Sequence, residues 1–291
     1  MNLINLKVCI VGMGQIGGSI ARVLTEKNLV SDVIGYDIDK SITSLAEECG
    51  YIDNSAESIS KGISKADIIF LATPIRKTIK LLPEIIEQIK SNQIVIDVAG
   101  IQSGILEIVS RQSNQINYIS GHPIAGNEKI GIKAASSDKF NNALFFLTPT
   151  VSTIKEWIDT IVDLIKSIGA KPIIIDPQKH DFLIGLTINL PYLLSLALMN
   201  LASNQEDSIK DIWQLSGGSF KGATRVASSS PELTLDMFMT NRGNILNILK
   251  QFQSELSTIT ELLSNKDETG LSKRIVQAKA QKEYIEQVQN G

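Results

Sequence analysis

The sequence is poor in the residues that build disulfide frameworks and metal centres. It contains two cysteines, Cys9 and Cys49, and two histidines, His122 and His180, in 291 residues. A small secreted scaffold needs several cysteine pairs, and a structural zinc site needs about four clustered ligands. The sequence therefore predicts two reduced thiols in a cytoplasmic protein and no metal site.

An excess of basic residues is also missing. The formal net charge is -3, with 28 lysines and arginines against 31 acidic residues. Domains that bind nucleic acid concentrate positive charge to neutralise phosphates, so this balance argues against a nucleic-acid partner. Hydrophobic residues make up 43% of the chain, which is typical of a protein that folds around a core.

One hydrophobic run approaches the length of a membrane span. Residues 183–202 read LIGLTINLPYLLSLALMNLA, but the run contains two asparagines and a proline, and no basic cluster flanks it. We expect a helix buried in a core or at a subunit interface, and hence a homodimer formed through the helical part of the chain. The N-terminal residues lead directly into a strand pattern, so neither a signal peptide nor a membrane association is expected.

Short apolar runs alternate with helical patterns over the first half of the sequence. The predicted strands are 7–12, 33–37, 67–73, 93–99, 116–119, 144–147 and 172–175. Strands that are apolar throughout and separated by helices predict a parallel sheet covered on both faces. The fold class is therefore α/β, with an N-terminal doubly wound sheet of the Rossmann type.

The first predicted strand leads directly into a glycine-rich turn. The segment GMGQIGGS places Gly12, Gly14 and Gly17 in the spacing G-x-G-x-x-G between a strand and a helix. The first glycine permits the tight turn, the second lets the main chain approach a diphosphate, and the third lets helix and strand pack closely. With the helix N-terminus facing the anion, the pattern predicts a dinucleotide site. The residues between these glycines are also expected at the site: Met13, Gln15 and Ile16.

The second predicted strand ends in an acidic residue, Asp37. A carboxylate there can accept hydrogen bonds from both ribose hydroxyls of NAD, and it repels the extra phosphate of NADP. Lys40 could receive that phosphate, so NADP stays open although NAD is favoured. Thr73, Pro74 and Ala99 follow later strands on the same edge of the sheet and are predicted to lie along the cofactor.

The pattern changes after residue 176. Helical stretches cover roughly 179–204, 206–215, 231–264 and 268–288, and no convincing strand follows. We therefore predict a dinucleotide-binding domain over residues 1–172 and an all-helical substrate and dimerisation domain over residues 173–291.

One of the two histidines stands in the unusual segment GHPIAG. His122 lies between Gly121 and Pro123 and follows a predicted strand, so it is expected at the edge of the sheet where ligands bind. A dehydrogenase that oxidises an alcohol needs a base whose pKa is near neutrality, and histidine is the usual choice. His122 is therefore the candidate catalytic base. His180 stands at the start of a predicted helix and is interpreted as a structural cap.

The segment GHPIAGNEKIG, residues 121–131, resembles the G-H-P-M-A-G-x-E-x-x-G signature of the prephenate and arogenate dehydrogenases of tyrosine biosynthesis. The glycine-rich start, ATP at 72–74, DVAG at 97–100, DPQKHD at 176–181 and GATRVASSSPEL at 222–233 agree with this family in order along the chain. The resemblance implies NAD-dependent oxidative decarboxylation of a cyclohexadienol, with His122 taking the hydroxyl proton. The reaction would be prephenate to 4-hydroxyphenylpyruvate, or arogenate to tyrosine.

The same resemblance implies a set of substrate contacts. Arg225 matches the family's carboxylate-binding arginine, and a guanidinium suits that task because it offers two parallel donors. The other predicted substrate contacts are Thr224, Asn189, Tyr192 and Ser103.

The sequence departs from the family at two places. Gly100 and Gln102 stand where the family often has a serine and a lysine, and Ser103 is a candidate replacement for the serine hydroxyl. Asn189 and Tyr192 replace both histidines of the family's S-H-L-P-H motif and offer neutral hydrogen bonds instead. Three substrates therefore stay open: prephenate, arogenate and 4-amino-4-deoxyprephenate. A catalytically inactive NAD-binding sensor is the non-enzyme alternative.

Overall fold

The computed structural model describes residues 1–112, 115–125, 130–205, 214 and 216–290. By its internal contacts the chain divides into two units, Met1–Arg242 and Gly243–Gly291. The first unit contains the sheet, its flanking helices and the helices that line the site. The second consists of two long helices.

The sheet of the first unit has eight strands among the described residues. In chain order they are β1 (Lys7–Val11), β2 (Asp32–Tyr36), β3 (Asn54–Ser55), β4 (Ile68–Leu71), β5 (Ile94–Asp97), β6 (Asn117–Pro123), β7 (Leu144–Pro149) and β8 (Lys171–Ile174). Their order across the sheet is β3-β2-β1-β4-β5-β6-β7-β8, so the strand order reverses between β1 and β4. This confirms the predicted doubly wound α/β fold, in which ligands bind at the carboxyl ends of the strands beside the reversal.

One pair of neighbouring strands departs from the predicted parallel sheet. β6 and β7 are antiparallel, with His122 opposite Phe146. A parallel connection needs a crossover, usually a helix, whereas the described part of this connection contains only the short 3-10 turns Ile132–Ala134 and Ser137–Phe140. β6 also extends to Pro123, so His122 lies inside a strand and not after it. The strand pairing therefore fixes the main chain of His122 on one side.

Ten helices accompany the sheet in the described part of the first unit. They are α1 (Gln15–Glu26), α2 (Lys40–Glu48), α3 (Ile59–Ile63), α4 (Ile75–Gln88), α5 (Ser103–Ser110), α6 (Lys155–Ser167), α7 (Pro177–Ile184), α8 (Leu190–Ser203), α9 (Gly218–Thr224) and α10 (Pro231–Thr240). α1, α2 and α6 bury their apolar sides on one face of the sheet, and α3, α4 and α5 bury theirs on the other. Three of these helices, α3, α5 and α9, were not predicted from the sequence. The predicted helix over 206–215 falls almost entirely outside the described residues.

A π-turn, Gly185–Asn189, separates α7 from α8. The N–H of Leu190 bonds to the carbonyl of Gly185, five residues back, in place of the usual four. Pro191 explains the widened turn, because proline has no N–H to donate and its ring crowds the carbonyl four residues before it. π-turns of this kind often lie at functional sites.

The apolar helical stretch Pro177–Ser203 is less covered than the sequence predicted. Among the described residues it is the one helical stretch long and apolar enough to cross a membrane, by length and composition alone. Only 28% of its most apolar 18 residues are buried. Leu196 and Leu201 are 45% and 61% exposed. The expectation that this segment is buried in the core of its own chain is therefore wrong. The alternative expectation, a subunit interface, stays a prediction.

The second unit contains most of α11 (Arg242–Ser264) and all of α12 (Glu268–Asn290). An ion pair between Arg274 and Glu255 joins the two helices. The single helix predicted over 231–264 is in fact two helices, because α10 ends at Thr240 and Asn241 separates it from α11.

Gly121 shows why a glycine precedes the candidate base. A Cβ at this position would lie 2.8 Å from the main-chain oxygen of Asp97 on β5 and 3.0 Å from the ring of Phe145 on β7. The close approach of β5 to β6 therefore requires a residue without a side chain at position 121.

Gly121→Ala should lower the free energy of unfolding by roughly 1–3 kcal/mol, the usual cost of overpacking. Gly104→Ala is the matched control, because a Cβ at this helical position in α5 meets nothing within 4 Å. The control should be neutral or stabilising by up to about 1 kcal/mol. Urea denaturation of the two variants measures both effects, and equal stabilities would contradict the packing argument.

Candidate active site

A cleft of about 420 Å³ opens at the carboxyl edge of β1, β4 and β5. Its walls come from the glycine-rich loop, from the segments after β4 and β5, from α8, and from α10 with the two serines that precede it. The lining residues are Gly14, Gln15, Ile16, Ala72, Thr73, Pro74, Ile75, Val98, Ala99, Gly100, Ile101, Ile130, Gly131, Tyr192, Ser229, Ser230, Leu233, Thr234, Asp236, Met237 and Thr240. The cleft therefore lies where the strand order reverses.

The three glycines of the first loop have separate structural tasks. Gly12 has a φ of +96°, and a Cβ there would lie 2.7 Å from the carbonyl oxygen of Ala72. A Cβ on Gly17 would lie 2.0 Å from the carbonyl oxygen of Gly12. Gly14 lines the cleft, and its Cβ would meet nothing within 4 Å. The loop thus packs tightly on its inner side and leaves space at the N-terminus of α1, which suits a diphosphate.

Asp37 is held against the glycine-rich loop. Its Oδ2 accepts the N–H of Met13 at 2.8 Å, and its Oδ1 accepts the N–H of Asp39 at 3.0 Å. Each carboxylate oxygen keeps a lone pair for a further donor. Lys40 turns away from this carboxylate, because its ammonium group donates to the carbonyls of Ala56 and Glu57 at 3.1 and 3.0 Å. The fixed charge beside the loop is therefore negative.

Helix α10 forms the wall of the cleft opposite the sheet. An ion pair fixes it to α4, with Arg76 Nε 3.0 Å from Asp236 Oδ1. The Asp236 side chain is 11% exposed and the Arg76 side chain 47% exposed. The pair therefore joins α4, which begins at the carboxyl edge of the sheet, to the helical wall.

The segment after β5 begins at a buried carboxyl group, that of Asp97. Burial raises its pKa to about 7, although the hydrogen bonds from Ala99 N–H at 2.9 Å and from the Tyr118 hydroxyl at 2.8 Å act in the opposite direction. These bonds hold the start of the segment that brings Gly100 beside His122. A Cβ on Gly100 would lie 3.7 Å from His122 Nε2. His122 itself is not among the cleft-lining residues of the described chain, and Gly100, which is, stands beside its Nε2.

The two histidines of the chain meet at this edge. His122 Nδ1 lies 3.0 Å from His180 Nε2, and His180 Nδ1 lies 2.8 Å from Asp181 Oδ1. His180 is completely buried. The interpretation of His180 as a helix cap is wrong, because the Asp176 side chain caps α7 by accepting the N–H of Lys179. His180 instead connects His122 to a carboxylate.

The carboxylate of Asp181 is stabilised as an anion. Burial opposes its charge, but the bond from His180 and the N–H groups of Gln102 and Ser103, both at 2.9 Å, outweigh burial and lower its pKa. These two N–H groups lie at the N-terminus of α5, where the helix dipole also favours a negative charge. Gln102 itself is held by Ser120 O at 3.2 Å and by the Thr148 hydroxyl at 2.6 Å.

This arrangement determines the tautomers of both rings. Asp181 can only accept, so His180 carries its proton on Nδ1 and presents a lone pair at Nε2. His122 must then donate from Nδ1, which leaves the lone pair of its own Nε2 on the side of Gly100. The free lone pair of the His122 ring therefore lies beside a residue that lines the cleft.

The environment keeps His122 neutral. Burial and the neighbouring His180 lower its pKa to about 3, and Asp181 opposes this only in part. The sequence pattern predicts a base with a pKa near neutrality. In the structure His122 is instead neutral throughout the physiological range, and the burial that keeps it neutral also lowers its proton affinity.

The structure separates the predicted substrate contacts. Tyr192 lines the cleft and accepts a hydrogen bond from Ser229 Oγ at 3.1 Å. Asn189 is fully buried and accepts a bond from Asn241 at 2.8 Å. Ser103 gives its N–H to Asp181, and the Thr224 hydroxyl donates to Phe220 O at 2.7 Å.

Arg225 lies in the exposed 3-10 turn Arg225–Ser228, directly before the cleft residues Ser229 and Ser230. It is not among the cleft-lining residues of the described chain. Within the GHPIAGNEKIG segment, residues 126–129 lie outside the described residues.

Sequence reasoning missed His180 and Asp181 as partners of the base, and it missed the ion pair between Arg76 and Asp236. One signal for the first pair was present. A chain with two histidines that places one of them directly before an aspartate has few alternatives for orienting the other. No comparable signal marks Arg76 or Asp236.

The lowered pKa of His122 makes a prediction about stability. The unfolded chain binds a proton on this residue near pH 6.5, whereas the folded chain does so only near pH 3. The contribution of neutral His122 to the free energy of unfolding is therefore fully present above pH 6.5. It is lost as the pH falls towards 3, by roughly 1 kcal/mol per pH unit. Between pH 6.5 and 4 the free energy of unfolding of the wild type should fall faster than that of His122→Asn, by roughly 1 kcal/mol per pH unit. The raised pKa of Asp97 has the opposite effect on stability, but it acts in both proteins and cancels in the comparison. Urea denaturation at several pH values measures the difference, and parallel curves for the two proteins would contradict the prediction.

Comparison with known proteins places this geometry in a family. The family model described as "Prephenate dehydrogenase, nucleotide-binding domain" matches residues 20–174, and "Prephenate dehydrogenase, dimerization domain" matches residues 176–277. The prephenate dehydrogenase of Bacillus subtilis is 27% identical over 293 residues, covering 100% of this chain and 79% of the relative.

Two solved structures are similar over nearly their whole length. Prephenate dehydrogenase from A. aeolicus in complex with hydroxyphenyl propionate and NAD+ is 26% identical, with a TM-score of 0.91 over 98% of this chain and 100% of the other. Synechocystis arogenate dehydrogenase is 29% identical, with a TM-score of 0.84 over 96% of this chain and 99% of the other. Together with the cleft and the paired histidines, these matches show that the chain belongs to the prephenate dehydrogenase family of NAD-dependent dehydrogenases.

Proposed function

We propose that the protein catalyses the NAD-dependent oxidative decarboxylation of a cyclohexadienol, either prephenate or arogenate. The observation that carries the proposal is the locked Nε2 lone pair of His122 beside Gly100 at the cleft. Relatives with both substrates in their names share the fold over nearly the whole chain. No observation favours 4-amino-4-deoxyprephenate or a non-catalytic sensor.

The residues around the cleft fit a dinucleotide. Gly12, Met13, Gly14, Gln15, Ile16 and Gly17 would hold the diphosphate at the N-terminus of α1. Asp37 would bind the ribose hydroxyls, and Thr73, Pro74 and Ala99 would lie along the cofactor. When bound, NAD supplies the acceptor for the hydride that leaves the ring carbon.

His122 removes the proton of the ring hydroxyl at Nε2. The positive charge that this creates is stabilised through Nδ1–H, which donates to His180, and through Asp181 beyond it. The imidazolium that forms gains from the preorganised anion of Asp181, which favours the charged form of the ring. Loss of carbon dioxide and aromatisation of the ring supply the driving force, so positioning and proton removal are the main tasks of the protein.

Recognition of the substrate is assigned to the helical side of the cleft. Tyr192 accepts a bond from Ser229 and so keeps its own proton for the substrate. Arg225 and Thr224 come directly before the cleft-lining serines, and Arg225 is proposed to bind a carboxylate of the substrate. Asn189 and Ser103 stay predicted contacts that act from outside the cleft lining.

The protein is further proposed to act as a cytoplasmic homodimer. Apolar side chains of α8 are exposed at Leu196 and Leu201, and α12 exposes Ile275, Val276 and Ile285. Exposed apolar surface of this extent is typical of a subunit interface. Both cysteines are unpaired, which fits a reducing compartment.

The negative charge at Asp37 predicts a preference for NAD over NADP. The extra phosphate of NADP would meet the Asp37 carboxylate, and the ammonium group of Lys40 is already bonded to two carbonyls. Calorimetry should give NAD at least about a tenfold lower Kd, and Asp37→Ser should narrow that ratio. Asp53→Ser is the control, since the Asp53 carboxylate also accepts a main-chain N–H, that of Val33 at 2.7 Å, but at the start of β2 and not at its carboxyl end. Tighter binding of NADP by the wild type would contradict the proposal.

His122→Asn tests the proposed base. Asparagine can still donate to His180 Nε2, but it has no basic nitrogen for the substrate. Turnover, followed at 340 nm with prephenate and with arogenate, should fall by about 10²–10⁴ while KM changes little. Arg225→Gln provides the contrast, because losing a charged anchor should raise KM more than it lowers kcat. Near-normal turnover of His122→Asn, or no turnover of either substrate by the wild type, would refute the proposal.

A further inference from the structure

Asn241 occupies a buried position between two parts of the site. It follows α10 and is 3% exposed. Its Nδ2 donates to the main-chain oxygen of Asp181 at 2.8 Å and to Oδ1 of Asn189 at 2.8 Å. One amide group therefore ties the end of the cleft wall to the helix that carries His180 and Asp181.

The carbonyl that Asn241 reaches lies where α7 passes into the π-turn. The Asp181 oxygen also accepts the N–H of Gly185, the first residue of that turn. A widened turn interrupts the regular ladder of helical hydrogen bonds, so a donor from outside the helix can decide where the main chain lies. The main chain of Asp181 in turn sets the position of its carboxylate.

Asn189 holds Asn241 in place from the other side of the π-turn. It is fully buried, and its Oδ1 accepts from Asn241. Its own Nδ2 has no hydrogen-bond partner among the described residues, so the bond to Asn241 is the one that orients this amide. The two asparagines clamp both ends of the π-turn.

We propose that Asn241, supported by Asn189, is a positioning residue for the base. It acts through Asp181 and His180, which fix the tautomer and the direction of His122, and it does not itself touch the reacting atoms. The inference rests on the proposed role of His122 as the base. It gives Asn189 a task within the protein.

Asn241→Asp tests the inference with an isosteric change. The new carboxylate places acceptors opposite two existing acceptors, Asp181 O and Asn189 Oδ1, so Asp181 must shift. A small misplacement of a catalytic group costs up to about 10²-fold in rate, so kcat should fall about 10- to 100-fold while KM for both substrates changes less than about twofold.

Asn117→Asp is the matched control. Asn117 is 6% exposed, and its Nδ2 also serves two acceptors, Ser91 O and Gln93 O, both at 3.1 Å. It lies at the start of β6, at the opposite edge of the sheet from the cleft. The variant should lower Tm without changing kcat. An equal loss of kcat in both variants would mean that Asn241 has only a general structural role.

A double variant distinguishes the possible failures. In the His122→Asn background, Asn241→Asp should cause no further loss of kcat, because its effect passes through the base. A full additive loss would overturn this inference and leave the proposed function intact. Near-normal turnover of His122→Asn alone would overturn the proposed function and this inference with it. If Asn241→Asp does not fold, Asn241→Ala replaces it, and loss of fold in both variants would also overturn the inference.

Discussion

The bond between His180 and Asp181 is the interaction on which the rest of the site depends. A carboxylate can only accept, so it fixes the proton of His180 on Nδ1, and each later choice in the chain of hydrogen bonds follows from this one. Several elements converge on Asp181: the N-terminus of α5 supplies two N–H groups, and Asn241 holds the main chain. The position and the tautomer of the His122 ring follow from the hydrogen bonds between its Nδ1, His180 and Asp181.

Close packing at the sheet edge imposes the second constraint. Gly12, Gly17 and Gly121 stand where a Cβ would lie less than 3 Å from main-chain atoms, so these glycines bring the loop and strands together. Gly14 and Gly100 differ, since a side chain there would meet open space or only ordinary contact. The first group builds the edge, and the second keeps it accessible.

Much of the fold could be predicted from the sequence, because strands buried on both faces are apolar throughout and the glycine spacing marks the first turn. The family and the candidate base also followed from local segments. The antiparallel pairing of β6 and β7 could not be predicted, since it depends on a connection without a helix. The role of His180 depends on a contact across 58 residues, and the π-turn depends on how the helix accommodates Pro191, so neither has a local pattern strong enough to indicate it.

The central claim is that Asp181 and His180 lock His122 as a neutral ring with a free Nε2. The chain has two histidines, and both belong to this pair, so protein labelled with ¹⁵N-histidine gives imidazole signals from the site alone. Long-range ¹H–¹⁵N correlation spectra recorded from pH 8 to pH 5 test the claim most directly. The account predicts that His122 stays neutral with its proton on Nδ1 over this range. An Nε2–H tautomer of His122, or its protonation near pH 6.5, would contradict it.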